Sequence, residues 1–184
     1  MNNTNKLPPL TGERTFLREF RREDINGMIS WATDIDTIKY LGSGFTTPKT
    51  EEMVEKMLDA YLSGDAAGIN LVIAERETER YLGQCSLTKV DTVNRCATLS
   101  VVMCPRFASQ GYGTEALRLL IGYGFRLHNI RRIELSVMAS NAAAIRCYEK
   151  CGFRKEGVAR QAFFSEGAYV DKIYMGLLRS EWNM

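Results

Sequence analysis

A chain of 184 residues, 45% hydrophobic and 25% charged, has the size and composition of one folded unit that buries about 70% of its unfolded surface. Its 24 basic and 22 acidic residues are interleaved and leave a net charge of +2 with no basic run, which argues against a nucleic-acid partner. No apolar stretch reaches the roughly 18 residues that cross a bilayer, which argues against a membrane partner.

The opening MNNTNKLPPL is polar and lacks the hydrophobic segment of a secretory leader. Residues 1–10 therefore read as a flexible lead, residues 11–184 as a single domain, and the cytoplasm as the expected location. From there Arg14–Phe20 alternates as a first strand. Asp24 caps a helix carrying Ile25, Met28, Ile29 and Ala32. Gly42-Ser43-Gly44 breaks the chain, and Thr46-Thr47-Pro48 opens a second helix with Met53, Met57, Leu58, Tyr61 and Leu62 at helical spacing. Past a turn at Gly64–Gly68, the segments Ile69–Ala74, Tyr81–Val90 and Cys96–Met103 read as strands, with Asp91–Asn94 as the last turn. Connections this short suit antiparallel neighbours.

A helix is expected from Gly111 to His128, with Ala116, Leu117, Leu120, Ile121, Gly124 and Phe125 on one face. The strand Arg132–Met138 follows it, so strand, helix and strand form a right-handed parallel crossover. Asn141–Cys151 is helical, and Phe153–Phe164 with Tyr169–Leu178 makes a hairpin about Glu166-Gly167. The fold class is α+β: a mixed, mostly antiparallel central sheet flanked by helices. Five cysteines, at 85, 96, 104, 147 and 151, are an odd number and do not form a closed disulfide framework. Cys147 and Cys151 lie four apart on the expected helix, but the lone His128 is far from them and zinc spacing is missing. They read as small buried residues, and no metal is expected.

The segment Met103–Ala116 reads MCPRFASQGYGTEA: a strand ends, a loop follows, and a helix starts amid two glycines. That order turns several backbone N–H groups toward one point, where the helix adds roughly half a positive charge. Gly111 and Gly113 carry no Cβ to hold phosphate oxygens away. A pyrophosphate suits such a place. Gly111-Tyr-Gly113-Thr-Glu-Ala116 also matches the dinucleotide fingerprint, but Pro105–Gln110 separates the glycines from their strand, and too little chain follows for further parallel units.

Two anchors, P-x-x-x-x-x-G-Y-G-T-E-A at 105–116 and N-x-x-A-I-x-x-Y-E-K-x-G-F at 141–153, give the chain a family likeness. It resembles the GCN5-related N-acetyltransferase (GNAT) superfamily, and within it the group that acetylates ribosomal-protein N-termini (RimJ/RimL-like) and related polyamine and small-amine acetylases. The resemblance spans about Leu10 to Trp182, with weaker support from Gly167, Asp171 and Tyr174. It implies acetyl-CoA as cosubstrate, a primary-amine acceptor and a homodimer. It further implies cofactor contacts at Val101, Val102, Met103, Arg106, Ala108, Ser109, Gln110, Gly111, Tyr112, Gly113, Thr114, Asn141 and Tyr148, with Tyr148 as general acid to the CoA thiolate. The family pattern Q/R-x-x-G-x-G/A begins on Ala108 here, and Ser109 replaces a usual glycine. Backbone amides then carry the phosphate, with Arg106 as the replacement cation.

Acyl transfer needs a neutral amine. A lysine-type amine of pKa about 10.4 is neutral less than about 0.1% of the time at pH 7, an α-amine of pKa about 7.7–8.0 roughly 10–15%. Relatives carry a glutamate on the strand before the phosphate loop, but Thr98 stands there in this chain. Either Asp171, Glu166 or Asp91 acts as the base, or waters remove the proton, which an α-amine tolerates best. Tyr40, Phe45, Phe163, Phe164 and Tyr169 either wall the acceptor channel or pack. The resulting expectation is direct transfer from acetyl-CoA to a protein N-terminus, a polyamine or a small amine. A non-catalytic acetyl-CoA-binding module is the alternative.

Overall fold

The computed structural model describes residues 10–42, 45 and 47–182; the expected lead up to residue 9 and the break residues Ser43, Gly44 and Thr46 lie outside it. The chain runs β1 (Thr15–Arg18), α1 (Ile25–Ala32), α2 (Ile35–Ile38), α3 (Glu51–Ser63), β2 (Ile69–Glu75), β3 (Tyr81–Asp91) and β4 (Cys96–Met103). It continues α4 (Tyr112–Leu127), β5 (Arg132–Met138), α5 (Ala142–Lys150), β6 (Arg154–Ser165) and β7 (Ala168–Leu178). The strands form one seven-stranded sheet in the order β1-β2-β3-β4-β5-β7-β6. Only β4 and β5 pair in parallel, so the mixed, mostly antiparallel α+β architecture expected from the sequence is the one observed.

Side chains alternate across the sheet and build two cores. On one face Leu87, Leu99, Ile133 and Leu135 pack with Leu117, Leu120, Ile121 and Phe125 of α4. On the other, Val72, Ala74 and Tyr81 pack with Met28 and Trp31 of α1 and Val54 and Leu58 of α3. Each large side chain so buried contributes roughly 1.5–3 kcal/mol over its exposed state. No helix among the described residues is long and apolar enough to cross a membrane.

Two local expectations change. The second long helix starts at Glu51, not at Thr46–Pro48, because the Thr50 hydroxyl accepts the Met53 N–H at 3.3 Å and fixes the first turn there. Ahead of it lies the four-residue α2, too short to show a period, capped by Asp34 accepting from Thr37 N–H at 2.9 Å. Asp24 precedes α1 as expected, but its carboxylate makes no cap. It instead accepts both terminal nitrogens of Arg18, at 2.8 and 2.7 Å, and the Arg21 N–H at 2.8 Å, with both charged partners buried. A buried guanidinium demands an anion more strongly than a helix end does.

The pairing that positions the site is the shortest in the sheet. β4 meets β5 only at Cys96–Arg132, Ala97–Ile133 and Thr98–Glu134. Beyond that, Leu99–Met103 stays paired with β3 alone and Leu135–Met138 with β7 alone. The sheet therefore splits down its middle. Gly83 holds the β3 side of the split, since a Cβ there would collide with the Val102 carbonyl oxygen and sit 2.9 Å from the Met103 Cα.

Candidate active site

The split opens into a cleft of about 430 Å³. Val101, Val102 and Met103 of β4 form one wall, and Ser136 and Val137 of β5 the other. Ala108, Ser109, Gly111, Gly113 and Thr114 close one end, while Asn141, Ala144, Cys147 and Tyr148 of α5 line the side. Thr37, Tyr40 and Leu41, from the α2 segment, border the opposite end.

Among the described residues, the backbone amides from Ser109 to Thr114 have no acceptor; the next one along, Glu115 N–H, bonds to Gly111 O at 3.1 Å. These donors sit where the positive end of α4 falls, so the cleft end favours an anion. The turn that aims them uses left-handed backbone at Gly111 (φ +89°) and at Ser109 (φ +60°). A Cβ on Gly111 would also meet Arg14 Nη2 at 2.9 Å. Gly113 has a different basis, because a Cβ there would make only ordinary 3.6 Å contacts with Met103.

Three of the expected cofactor residues turn their side chains elsewhere. Arg106 does not face the cleft: its guanidinium stacks over Phe107 at 4.4 Å and lines a different cavity with Arg18, Asp24 and Tyr81. The proline-led turn Pro105–Phe107 rotates it to the far side of β4. Gln110 donates to Arg106 O at 2.7 Å, and the Tyr112 ring packs edge-on against Phe107 at 6.3 Å beneath Arg14 at 4.5 Å. The cations that do line the cleft are Arg146 and Lys150 of α5. They are four apart, one turn of the same helix, a spacing legible in the sequence beside the Asn141 anchor. Asn141 itself caps α5 by accepting Ala144 N–H at 3.0 Å, which leaves its amide nitrogen to face the cleft.

Known proteins share this chain's family pattern and fold. The family model for the acetyltransferase (GNAT) domain matches residues 14–154. The chain belongs to this family. Acetyl-CoA is accordingly the cosubstrate of this acetyltransferase. It is 28% identical over 178 residues to the uncharacterised N-acetyltransferase p20 of Bacillus licheniformis, covering 96% of this chain and 99% of that one. A GNAT-family acetyltransferase from Bacillus anthracis superposes with a TM-score of 0.82 at 22% identity, covering 95% of this chain and all of that one. Vibrio cholerae spermidine N-acetyltransferase, solved with CoA and spermine, superposes at 0.80 with 23% identity, over 91% of this chain and 97% of that one.

In the acetyltransferase Tyr148 is the buried residue of α5, packed edge-on to Phe153 at 6.0 Å while still lining the cleft. Burial pushes its phenol well above the ordinary tyrosine range, and the neighbouring Cys147 and Cys151 add to the shift. Cys147 lines the cleft as well, which the reading of all five cysteines as packing residues missed. Its sulfur lies 3.2 Å from Thr114 Oγ1, and the Cys151 thiol beside it lowers its pKa.

None of the three carboxylates considered as base reaches the cleft. Asp91 accepts the N–H groups of Val93 and Asn94 at 2.9 and 2.7 Å, at the far end of β4. Asp171 accepts Gln161 N–H at 2.9 Å, filling a bulge in β6, and Glu166 pairs with Lys39 at 3.1 Å. Asp36 is the carboxylate that borders the cleft, and it is paired with Lys39 at 2.9 Å.

A second cavity, about 190 Å³, adjoins the cleft on the α1–α3 side and shares Leu41, Val101 and Val102 with it. Phe20, Trp31, Phe45, Met57 and Tyr61 form its apolar walls; Asn70, Gln84, Ser86 and Ser100 form its polar floor. Of the expected channel aromatics, Phe45 lines this cavity and Tyr40 the cleft, whereas Phe164 and Tyr169 are exposed and pack on each other at 5.2 Å.

Proposed function

We propose that this acetyltransferase passes the acetyl group directly from acetyl-CoA in the β4–β5 cleft to a primary α-amine that enters through the adjoining cavity. The carrying observation is that the two spaces meet at Val101 and Val102, with Tyr148 on the cofactor side and no carboxylate among the lining residues of the amine side. The unpaired amides of residues 109–114, helped by Arg146 and Lys150, hold the pyrophosphate. Asn141, through its spare amide group, holds the arm that carries the thioester.

The amine lone pair attacks the thioester carbonyl, a carbon–nitrogen bond forms, the carbon–sulfur bond breaks, and the thiolate departs. Tyr148 donates a hydrogen bond to that sulfur. Burial raises the phenol's pKa, so it keeps its proton, steadies the charge on the departing sulfur by that hydrogen bond, and solvent protonates the thiolate. The amine's own proton leaves to water. This favours an α-amine, whose neutral fraction at pH 7 exceeds that of a polyamine by a few hundredfold, roughly 200–400. Cys147 is not an acyl carrier: its sulfur is turned to Thr114 at the amide end of the cleft, and it does not line the second cavity.

The test is thiol release from acetyl-CoA over a panel of N-terminal peptides, amino-acid amides and polyamines, with initial-rate patterns for the best acceptor. Intersecting patterns and turnover retained in Cys147→Ala are expected. Parallel patterns with loss of turnover in Cys147→Ala would replace direct transfer by a covalent acyl-enzyme.

A further inference from the structure

A hydrogen-bond chain of fixed direction ends in the amine-side cavity. It starts at Trp31, 1% exposed, whose indole N–H can only donate, and which gives that proton to the Tyr81 hydroxyl at 3.1 Å. Tyr81 is 7% exposed, so its own proton needs an acceptor, and it finds Gln84 Oε1 at 2.8 Å. That fixes the Gln84 amide, whose Nε2 then donates to the Tyr61 hydroxyl at 3.2 Å. Tyr61 Oη is thereby an acceptor inside the protein, and its proton has no partner among the described residues. The ring is clamped face to face on Phe20, at 4.2 Å and 9°, and lines the cavity.

We infer that the Tyr61 hydroxyl is a substrate-recognition donor, aimed at a carbonyl oxygen near the reacting amine, and that the acceptor is a neutral apolar α-amino amide or N-terminal peptide residue. This rests on the transferase reading above and adds the substrate class. The lining of the cavity excludes the charged alternatives. It has no carboxylate to receive a second ammonium and no cation to receive a carboxylate, so either group would be desolvated without compensation. At about 190 Å³ it lies below the roughly 300 Å³ of a pocket that encloses a drug-sized ligand, so it takes one residue-sized group and the rest of the substrate stays outside. Its walls of Phe20, Trp31 and Phe45 select an apolar or aromatic side chain. Trp31, Tyr81 and Gln84 together leave Tyr61 one direction in which to donate; Tyr81, which does not line the cavity, is purely a positioning residue.

The experiment compares leucinamide with isoamylamine, which has the same branched chain without the carbonyl, and with spermidine, in the native enzyme and in Tyr61→Phe. Each amine is assayed at the pH where a fixed fraction of it is neutral, and melting curves check that the variant is folded. In the native enzyme leucinamide is expected to exceed isoamylamine in kcat/KM by ten- to a hundredfold. In Tyr61→Phe that ratio falls toward one, through a higher KM for leucinamide that isoamylamine does not share to the same degree. Preference for spermidine, or an equal loss on both members of the pair, overturns the inference and leaves the transferase reading standing. No thiol release with any amine, despite thermal stabilisation by CoA, overturns both.

Discussion

Replacing Tyr148 by Phe removes one oxygen and leaves the packing of the ring on Phe153 in place. The side chain is 7% exposed, and among the described residues its hydroxyl has no protein partner, so the variant loses no internal hydrogen bond. Stability should stay within about 0.5 kcal/mol, a shift of about 2 °C or less for a chain of this size. The cost falls on the step in which sulfur becomes anionic. A hydrogen bond to a charged group is worth about 1.5–3 kcal/mol, and each 1.36 kcal/mol is tenfold in rate, so kcat should fall roughly 10- to 150-fold. Because the thioester of bound acetyl-CoA is uncharged, its KM should hardly move.

Steady-state thiol release under saturating amine measures this, with melting curves alongside. The direction of the phenol's shift adds a second check. Burial raises its pKa, so it keeps its proton through the alkaline range in which the amine deprotonates, and no falling limb from Tyr148 should appear below pH 10. An unchanged kcat in a folded Tyr148→Phe would refute the assignment, and a loss confined to KM would recast Tyr148 as a cofactor-packing residue.

Since no free carboxylate faces the amine, kcat/KM should rise with pH along a limb whose midpoint follows the pKa of each acceptor used; an invariant enzyme pKa near 6–7 would reveal a base. Asp24→Asn leaves the buried Arg18 guanidinium with no neutralising charge, so urea unfolding should report a loss of about 3–5 kcal/mol. Ser109→Gly relieves a left-handed φ of +60° and should keep or raise stability by up to about 1 kcal/mol, with thermal stabilisation by CoA intact. Gly111→Ala does the reverse, adding strain at φ +89° and contact with Arg14, and should weaken CoA stabilisation measurably.

The chain's apolar patterning was enough to place every strand and every helix but the four-residue α2, which is too short to show a period. What escaped it was decided by partners distant in sequence. Asp24 reads as a cap until Arg18 is folded against it, and Arg106 reads as a phosphate ligand until the Pro105–Phe107 turn carries it to the other face. The second cavity was hidden for the same reason. Tyr61, Gln84 and Trp31 each look like ordinary core or strand residues, and only the packing of α1 and α3 over β3 joins them. Arg146 and Lys150, by contrast, were open to view as a basic pair one helical turn apart beside a recognised anchor.

The end of β4 explains why this fold suits a two-substrate transfer. Alternation sends Val101 into the core under α4 and Val102 into the core under α1 and α3, yet both residues border both cavities. Such sharing is possible only where a sheet stops being continuous, since an intact β4–β5 ladder beyond Thr98 would wall one face from the other. On the proposed reading the three-residue pairing is the feature that brings the two substrates together: long enough to fix the strands' relative position, short enough to open a passage at residues 99–103. In the proposed transfer a thioester entering from the α4 side and an amine from the α1–α3 side would meet there without either crossing the sheet. In that arrangement proximity could supply about 7–11 kcal/mol of the barrier without a carboxylate base, so on the proposed reading the lining of the passage decides which amines react.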